Sequence, residues 1–286
     1  MGWIVTVSIA WVWCFGLLGI NGSIPLAQSN LAQSNLAQSN LAQSNLTQTQ
    51  FEQLENLFDR AIRSSQQGNF TEAENDWSDA IDRFPENPAL WSNRGNVRVS
   101  QNHLEAALSD YNRAIELAPE VPDPYLNRGT VYEALQRWDD AIADYNRVLE
   151  LSPEDPAAYN NRGNAKAGRG NWEEAVEDYQ KAVEIAPDFA FARANCALAL
   201  YQIGETDEAV RRMKNIVRRY PQFADMRAAL TASLWAKGSL GEAESNWVAA
   251  YGLDSRYGDL EWVAQVRRWP PRMVEALGDF LNLNGR

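Results

Sequence analysis

An arginine set between asparagine and glycine recurs along the chain, as NRGN at Asn93–Asn96, NRGT at Asn127–Thr130 and NRGN at Asn161–Asn164. A guanidinium stays charged and presents a planar fork of donors, so at a fixed place it calls for a carboxylate or another anion. The asparagine ahead of it carries a donor and an acceptor on one amide, which is what an extended peptide backbone needs from a partner. Few other residues qualify for chemistry. The single histidine, His103, sits among polar residues where a turn is expected, and the two cysteines, Cys14 and Cys196, lie far apart in sequence. That is too little for a zinc site, histidine acid–base catalysis or a disulfide framework. No phosphate loop, nucleophile elbow or paired metal ligands occur, so the sequence predicts no catalytic residue, no metal and no cofactor.

The elements that must hold these residues follow from a repeat. Aligning the arginine motif on itself gives a shift of 34 residues that runs without insertion or deletion through six units: 54–87, 88–121, 122–155, 156–189, 190–223 and 224–257. The twentieth place is always alanine: Ala73, Ala107, Ala141, Ala175, Ala209 and Ala243. Four residues on stand Trp77, Tyr111, Tyr145, Tyr179, Met213 and Trp247, and three further on Ala80, Ala114, Val148, Ala182, Ile216 and Ala250. Steps of three and four between apolar side chains mark one face of a helix. A helix ahead of it carries Trp91, Tyr125 or Tyr159, followed four residues later by Gly95, Gly129 or Gly163. Small residues there let paired helices approach closely. Pro85, Pro119, Pro153, Pro187 and Pro221 close the second helix of the first five units.

This pattern resembles the tetratricopeptide repeat, a helix–turn–helix unit with aromatic, glycine, alanine, aromatic and proline at the places quoted. The resemblance implies an all-α, right-handed superhelical solenoid of six units, whose first helices line a concave groove that takes a peptide or partner protein. The arginine occupies the seventh place, where the family more often has leucine. In an antiparallel hairpin turning near the sixteenth place, the seventh place and about the twenty-third to twenty-fifth stand at similar height, so a long side chain can bridge them. Arg60 then meets Asp76, Arg94 meets Asp110, Arg128 meets Asp144 and Arg162 meets Asp178. In the last two units Cys196 faces Arg212 and Leu230 faces Asn246, so the two partners are present together or absent together. The reading is an internal pair joining the two helices of a hairpin. Its alternative has the arginines reaching into the groove for an anionic ligand.

Family geometry also puts the sixth and ninth places on the concave wall. These are Asn93, Asn127, Asn161 and Asn195, with Asn96, Thr130 and Asn164. A ladder of amides at helix spacing could hold an extended segment with little regard for its sequence. The alternative is that these amides only satisfy nearby backbone. The lysines by which some family members clamp a C-terminal carboxylate are missing from the first three units.

A net charge of −12 argues against a nucleic-acid partner. The run RRMKNIVRRY, Arg211–Tyr220, is strongly basic but falls on a second helix, either as a solvated face or as an anionic docking site. No charged residue or histidine precedes Glu52. Within residues 1–25 the apolar stretch 4–20 reads as either a cleaved export signal or a retained membrane anchor. Residues 26–50 hold four perfect copies of LAQSN and a decayed one, a low-complexity linker. Over 258–286, Leu260, Val263 and Val266, then Met273, Val274, Leu277, Phe280 and Leu281, recur at helical spacing around Pro270–Pro271, and predict short helices capping the last unit. Trp262 and Trp269 are either part of that core or a partner contact. The phrases NRGNAK, SDYNRAIELAP and RRWPP behind an export-like front are similar to repeat proteins of cyanobacteria and the chloroplast thylakoid lumen. That similarity implies a lumenal or periplasmic location and a role in assembling or maintaining photosynthetic membrane complexes. A membrane-tethered structural element is the competing expectation.

Overall fold

The computed structural model describes residues 48–283. Among them every regular element is helical: fourteen α-helices and one 3-10 turn, with no strand. They divide into two compact units that part between Pro153 and Glu154. The first holds α1 (Gln48–Gln66), α2 (Phe70–Arg83), α3 (Pro88–Ser100), α4 (Leu104–Leu117), α5 (Pro122–Ala134) and α6 (Trp138–Leu151). The second holds α7 (Pro156–Gly168), α8 (Trp172–Ile185), α9 (Ala190–Gln202), α10 (Thr206–Arg219), α11 (Ala224–Ala236) and α12 (Leu240–Leu253). A 3-10 turn (Ser255–Gly258), α13 (Leu260–Gln265) and α14 (Pro271–Leu283) complete it. Consecutive helices pair as hairpins, giving the all-α array that the repeat period requires.

Local chemistry explains where each hairpin turns. The fifteenth place of every repeat is left-handed: Gly68, Asn102, Gln136, Gly170, Gly204 and Gly238 all have positive φ. The amide after it reaches back five residues to a carbonyl of the first helix, as His103 N to Arg98 O at 2.8 Å and Arg137 N to Tyr132 O at 2.8 Å. Such a closure satisfies carbonyls that a helix end otherwise leaves orphaned. Glycine adopts this conformation without steric cost, asparagine tolerates it, and Gln136 is the residue least suited to it. Pro88, Pro122 and Pro156 start their helices at the first turn, where no amide hydrogen is needed. Asn87 and Asp155 cap two of those starts through side-chain oxygens.

Packing within a hairpin rests on the small and large residues of the repeat. Trp77, Tyr111, Tyr145, Tyr179, Met213 and Trp247 are all buried. Each such side chain contributes about 1.5–3 kcal/mol by leaving water. A Cβ built on Gly95 would lie 2.8 Å from Cε1 of Tyr111, on Gly129 2.6 Å from that of Tyr145, and on Gly163 2.7 Å from that of Tyr179. The ring therefore occupies the space that any side chain at the glycine would need.

Some expectations change. Gln48, Thr49 and Gln50, assigned to the linker over 26–50, form the first turn of α1, whose amphipathic pattern extends back past Leu54. The rest of that linker and the signal or anchor of residues 1–25 lie outside the described residues. No helix among the described residues is long and apolar enough to cross a membrane. The tail forms helices, but α14 packs on α11 and α9, the first helices of the last two hairpins, rather than along the outer side of α12. Its Phe280 ring meets Trp235 and Trp247 at 5.2 and 5.3 Å. Trp269 is buried, and Trp262 is half-buried edge-on to Tyr257.

Candidate functional site

The seventh-place arginines turn into their own hairpins. Arg94 donates from Nε and Nη2 to Asp110 at 3.0 and 2.8 Å, Arg128 to Asp144 at 2.8 and 2.6 Å, and Arg162 to Asp178 at 2.9 and 2.6 Å. These are bidentate forks onto carboxylates that are only 2–6% exposed. Arg60 donates to Asp76 through Nη2 alone and is 58% exposed, and the second oxygen of Asp76 has no partner among the described residues. Two of the forks also reach back to the preceding hairpin, with Arg94 donating to Ser78 at 3.1 Å and Arg128 to Asn112 at 2.6 Å. The guanidinium lies 5.0 Å from the Trp91 ring in one case and 5.6 Å from Tyr125 in the next. One arginine thereby ties three helices together, and its donors are engaged inside the array.

A second cation escaped the sequence reading. Arg98 donates to the same Asp110 at 2.9 Å and to Glu74 at 2.8 Å, and Lys166 sits 2.9 Å from Asp178. Both stand one helical turn after the seventh-place arginine, so the spacing could have revealed them; Tyr132 at the equivalent place hides the regularity. Where this cation is missing, burial pushes the Asp144 carboxyl above the ordinary carboxylate range against the pull of Arg128. In the fifth hairpin Cys196 is buried and accepts from Arg212 Nη1 at 3.4 Å, while Arg212 also donates to Glu208 at 2.6 Å. Burial raises the Cys196 thiol to about 11, against Arg212, so it packs as a small apolar group rather than acting as a nucleophile.

The ninth-place residues meet tyrosine hydroxyls. Tyr111 donates to Asn96 Oδ1 at 2.7 Å and Tyr179 to Asn164 Oδ1 at 3.0 Å. Burial, helped by the charge of Asp110, holds the Tyr111 phenol far above its ordinary range, so it remains a donor. The amide nitrogen of Asn96 is then the end left for other groups. Thr130 is exposed and bonds the Leu126 carbonyl at 3.1 Å, while Tyr145 takes Glu133 at 2.5 Å. In the second unit Asn195 donates to Asn160 and Asn164 at 3.0 and 3.1 Å, and Asn160 donates to Asn161 at 3.1 Å, forming one polar cluster between α7 and α9. Asn93 and Asn127, on α3 and α5 of the first unit, are half-buried, and their side chains make no hydrogen bond among the described residues.

In the second unit the first-helix side of α9 and α11 is taken by α14. Arg272 fixes its start, donating to the Tyr201 carbonyl at 3.0 Å, with its backbone amide on Gln202 at 2.9 Å. Asp225, which sequence reasoning missed, anchors the turn before it. One of its oxygens accepts from Tyr257 at 2.7 Å, Arg267 at 2.9 Å and Trp269 at 3.0 Å. A buried acid in an apolar helix was the available signal. The basic run on α10 is largely neutralised in place: Arg211 and Arg212 meet Glu208, Lys214 meets Glu242 and Arg219 meets Asp188. His103 is exposed in the turn between α3 and α4. No cluster of three His, Cys, Asp or Glu among the described residues is arranged to hold a metal ion.

Sequence models described as tetratricopeptide repeat or TPR repeat match residues 95–136, 126–188 and 166–245. No curated protein matches the chain. Among solved structures, YrrB, a TPR protein with an unusual peptide-binding site, is 23% identical over 63% of this chain and 92% of its own, with a TM-score of 0.52. A tetratricopeptide repeat protein from Parabacteroides merdae ATCC 43184 is 22% identical over 82% of this chain and 100% of its own, with a TM-score of 0.61. The APC/C hetero-tetramer Cut9–Hcn1 is 17% identical over 74% of this chain and 41% of that one, with a TM-score of 0.62. At these identities the likeness is one of fold.

Proposed function

From a chain that belongs to the tetratricopeptide repeat proteins, we propose a non-catalytic scaffold that holds an extended peptide, or an extended segment of a partner protein, against the first-helix faces of α3 and α5. The observation that carries this reading is the pair of half-buried amides, Asn93 and Asn127, at equivalent places of successive hairpins, whose side chains make no hydrogen bond among the described residues. Asn96 adds a donor, because the Tyr111 hydroxyl occupies its oxygen. YrrB is a relative by fold with a peptide-binding site, which supports the same class of ligand. In the second unit Asn161, Asn164 and Asn195 are joined in one cluster and α14 covers the first-helix side of α9 and α11, so the proposed site is that of α3 and α5.

The test is crosslinking followed by pull-down from the native membrane fraction, comparing the native chain with an Asn93→Ala, Asn127→Ala variant. Each amide contributes about 0.5–1.5 kcal/mol, so captured peptide should fall roughly tenfold for the pair. An unchanged partner list with unchanged yield rejects the amide reading.

The proposed setting is an exported compartment, thylakoid lumen or periplasm, with a role in assembling or maintaining photosynthetic membrane complexes. Its support is the uncharged, apolar front of the sequence ahead of Glu52. The same stretch supports a membrane-tethered structural element if it is retained. N-terminal sequencing of the purified protein decides between them, since a start near Gln28 removes the tether.

A further inference from the structure

Three buried tyrosines stand at one repeat place, and their hydroxyls meet the first helix of the hairpin in three ways. Tyr111 donates to Oδ1 of Asn96 at 2.7 Å, Tyr145 to Glu133 at 2.5 Å, and Tyr179 to Oδ1 of Asn164 at 3.0 Å. The Asn164 oxygen is held a second time, because Asn195 donates to it at 3.1 Å. Among the described residues Asn96 is held by Tyr111 alone. The two ends of a carboxamide are alike in shape and opposite in chemistry, and here the phenol decides between them. The Tyr111 hydroxyl has no other partner among the described residues, so its proton has one place to go. Turning the amide over would leave a buried O–H with no acceptor, a costly state for a polar group. The oxygen of Asn96 therefore faces the tyrosine, and its nitrogen is left as an accessible donor.

The next hairpin presents the opposite polarity. Thr130 is exposed at the equivalent place of α5 and donates its one hydroxyl proton to the Leu126 carbonyl at 3.1 Å. What Thr130 has left to offer is its lone pairs. The Tyr145 hydroxyl, 3.4 Å away, gives its own proton to Glu133 and does not compete for them.

Resting on the reading that α3 and α5 hold an extended segment, we propose that these two hairpins read its backbone with opposite sign: Asn96, set by Tyr111, takes a main-chain carbonyl, and Thr130 takes a main-chain N–H. Tyr111 is a positioning residue, since it touches Asn96 and not the bound segment. One edge of an extended segment offers both an N–H and a C=O from every second residue, repeating about every 7 Å, and neighbouring helices stand about 8–10 Å apart. Asn93 and Asn127, each with a donor and an acceptor, accept either group, whereas Asn96 and Thr130 are committed. The chemistry recognised is the peptide group itself, so a segment with proline where Thr130 needs an N–H is refused.

The probe is an acetylated and amidated decapeptide of alternating serine and threonine, titrated into the isotope-labelled full chain while the side-chain amide resonances of Asn93, Asn96 and Asn127 are followed. Asn96→Asp keeps an acceptor for Tyr111 but has no donor, and should raise Kd at least tenfold; if Asn96 served only to satisfy Tyr111, this change would leave binding intact. Tyr111→Phe keeps the ring and frees the amide to turn, and should raise Kd about threefold. Tyr179→Phe loses the same hydroxyl where Asn195 still holds the Asn164 oxygen, and should leave Kd unchanged. Thr130→Val should raise Kd about threefold, and Thr130→Ser should restore it. A probe that shifts Asn93 and Asn127 with the same Kd in Asn96→Asp and Tyr111→Phe overturns this assignment and leaves the amide reading standing. Equal losses in Tyr111→Phe and Tyr179→Phe overturn it too, since general loosening of the hairpins would then be the cause. No shift at Asn93 or Asn127 rejects both readings.

Discussion

The first unit and the end of the second hold the same hairpin together by opposite means. In α3–α6 a buried carboxylate receives a guanidinium fork, and the apolar core of the first unit is broken into two separate clusters. In α9–α14 the equivalent places hold Cys196 and Leu230, and one continuous apolar cluster runs to Leu281. The fourth place changes in parallel. Trp91 and Tyr125 reach the carbonyls of Pro85 and Pro119, and Arg193 and Arg227 reach those of Pro187 and Pro221. A ring and a guanidinium thus serve one carbonyl, and the arginine that leaves the hairpin core returns at its edge. The repeat geometry specifies a height and a volume at the seventh place, not a chemistry.

The sharpest test of this contrast is to remove one partner on each side of it. Asp110→Ala leaves Arg94 and Arg98 facing a buried void and should cost about 3–5 kcal/mol in urea unfolding of the first unit. Phe280→Ala opens a cavity between Trp235 and Trp247 and should cost about as much in the second. Equal insensitivity at Asp110 would mean that the polar staple is ornamental. Gly129→Ala should lose about 1–3 kcal/mol, because its Cβ would press into the Tyr145 ring at 2.6 Å.

Converting one mode into the other is the finer test. The double replacement Arg128→Leu, Asp144→Leu copies the leucine of the sixth hairpin and should be neutral or stabilising by about 1–2 kcal/mol, whereas Asp144→Leu alone should cost about 3 kcal/mol. Because burial raises the Asp144 carboxyl in the fold, its protonated form is favoured there. Its contribution to stability is therefore fully present below the unfolded value and lost as pH rises through the raised one. The advantage of the double variant should be largest at neutral pH and shrink on acidification. The smallest effect is Gln136→Gly, which relieves a left-handed glutamine in the first unit and should raise stability by about 0.5–1 kcal/mol. At the same repeat place in the second unit no such gain is available, because Gly170, Gly204 and Gly238 already hold it.

What the sequence determined by itself was whatever depends on contacts within one repeat. The helix faces, the turn place and the pairing of Arg94 with Asp110 all follow from a short, fixed spacing that leaves one residue opposite another. The second cation at Arg98 and Lys166 obeys the same spacing, but Tyr132 interrupts the series. Tertiary structure alone decided which side the tail would cover. An amphipathic helix such as α14 carries an apolar stripe but no address, and Asp225, Arg272 and the Phe280 pocket supply it through contacts between residues far apart in the chain. That choice also leaves Leu240, Val248 and Tyr251 of α12 exposed among the described residues, because a helix can shelter only the surface it lies against.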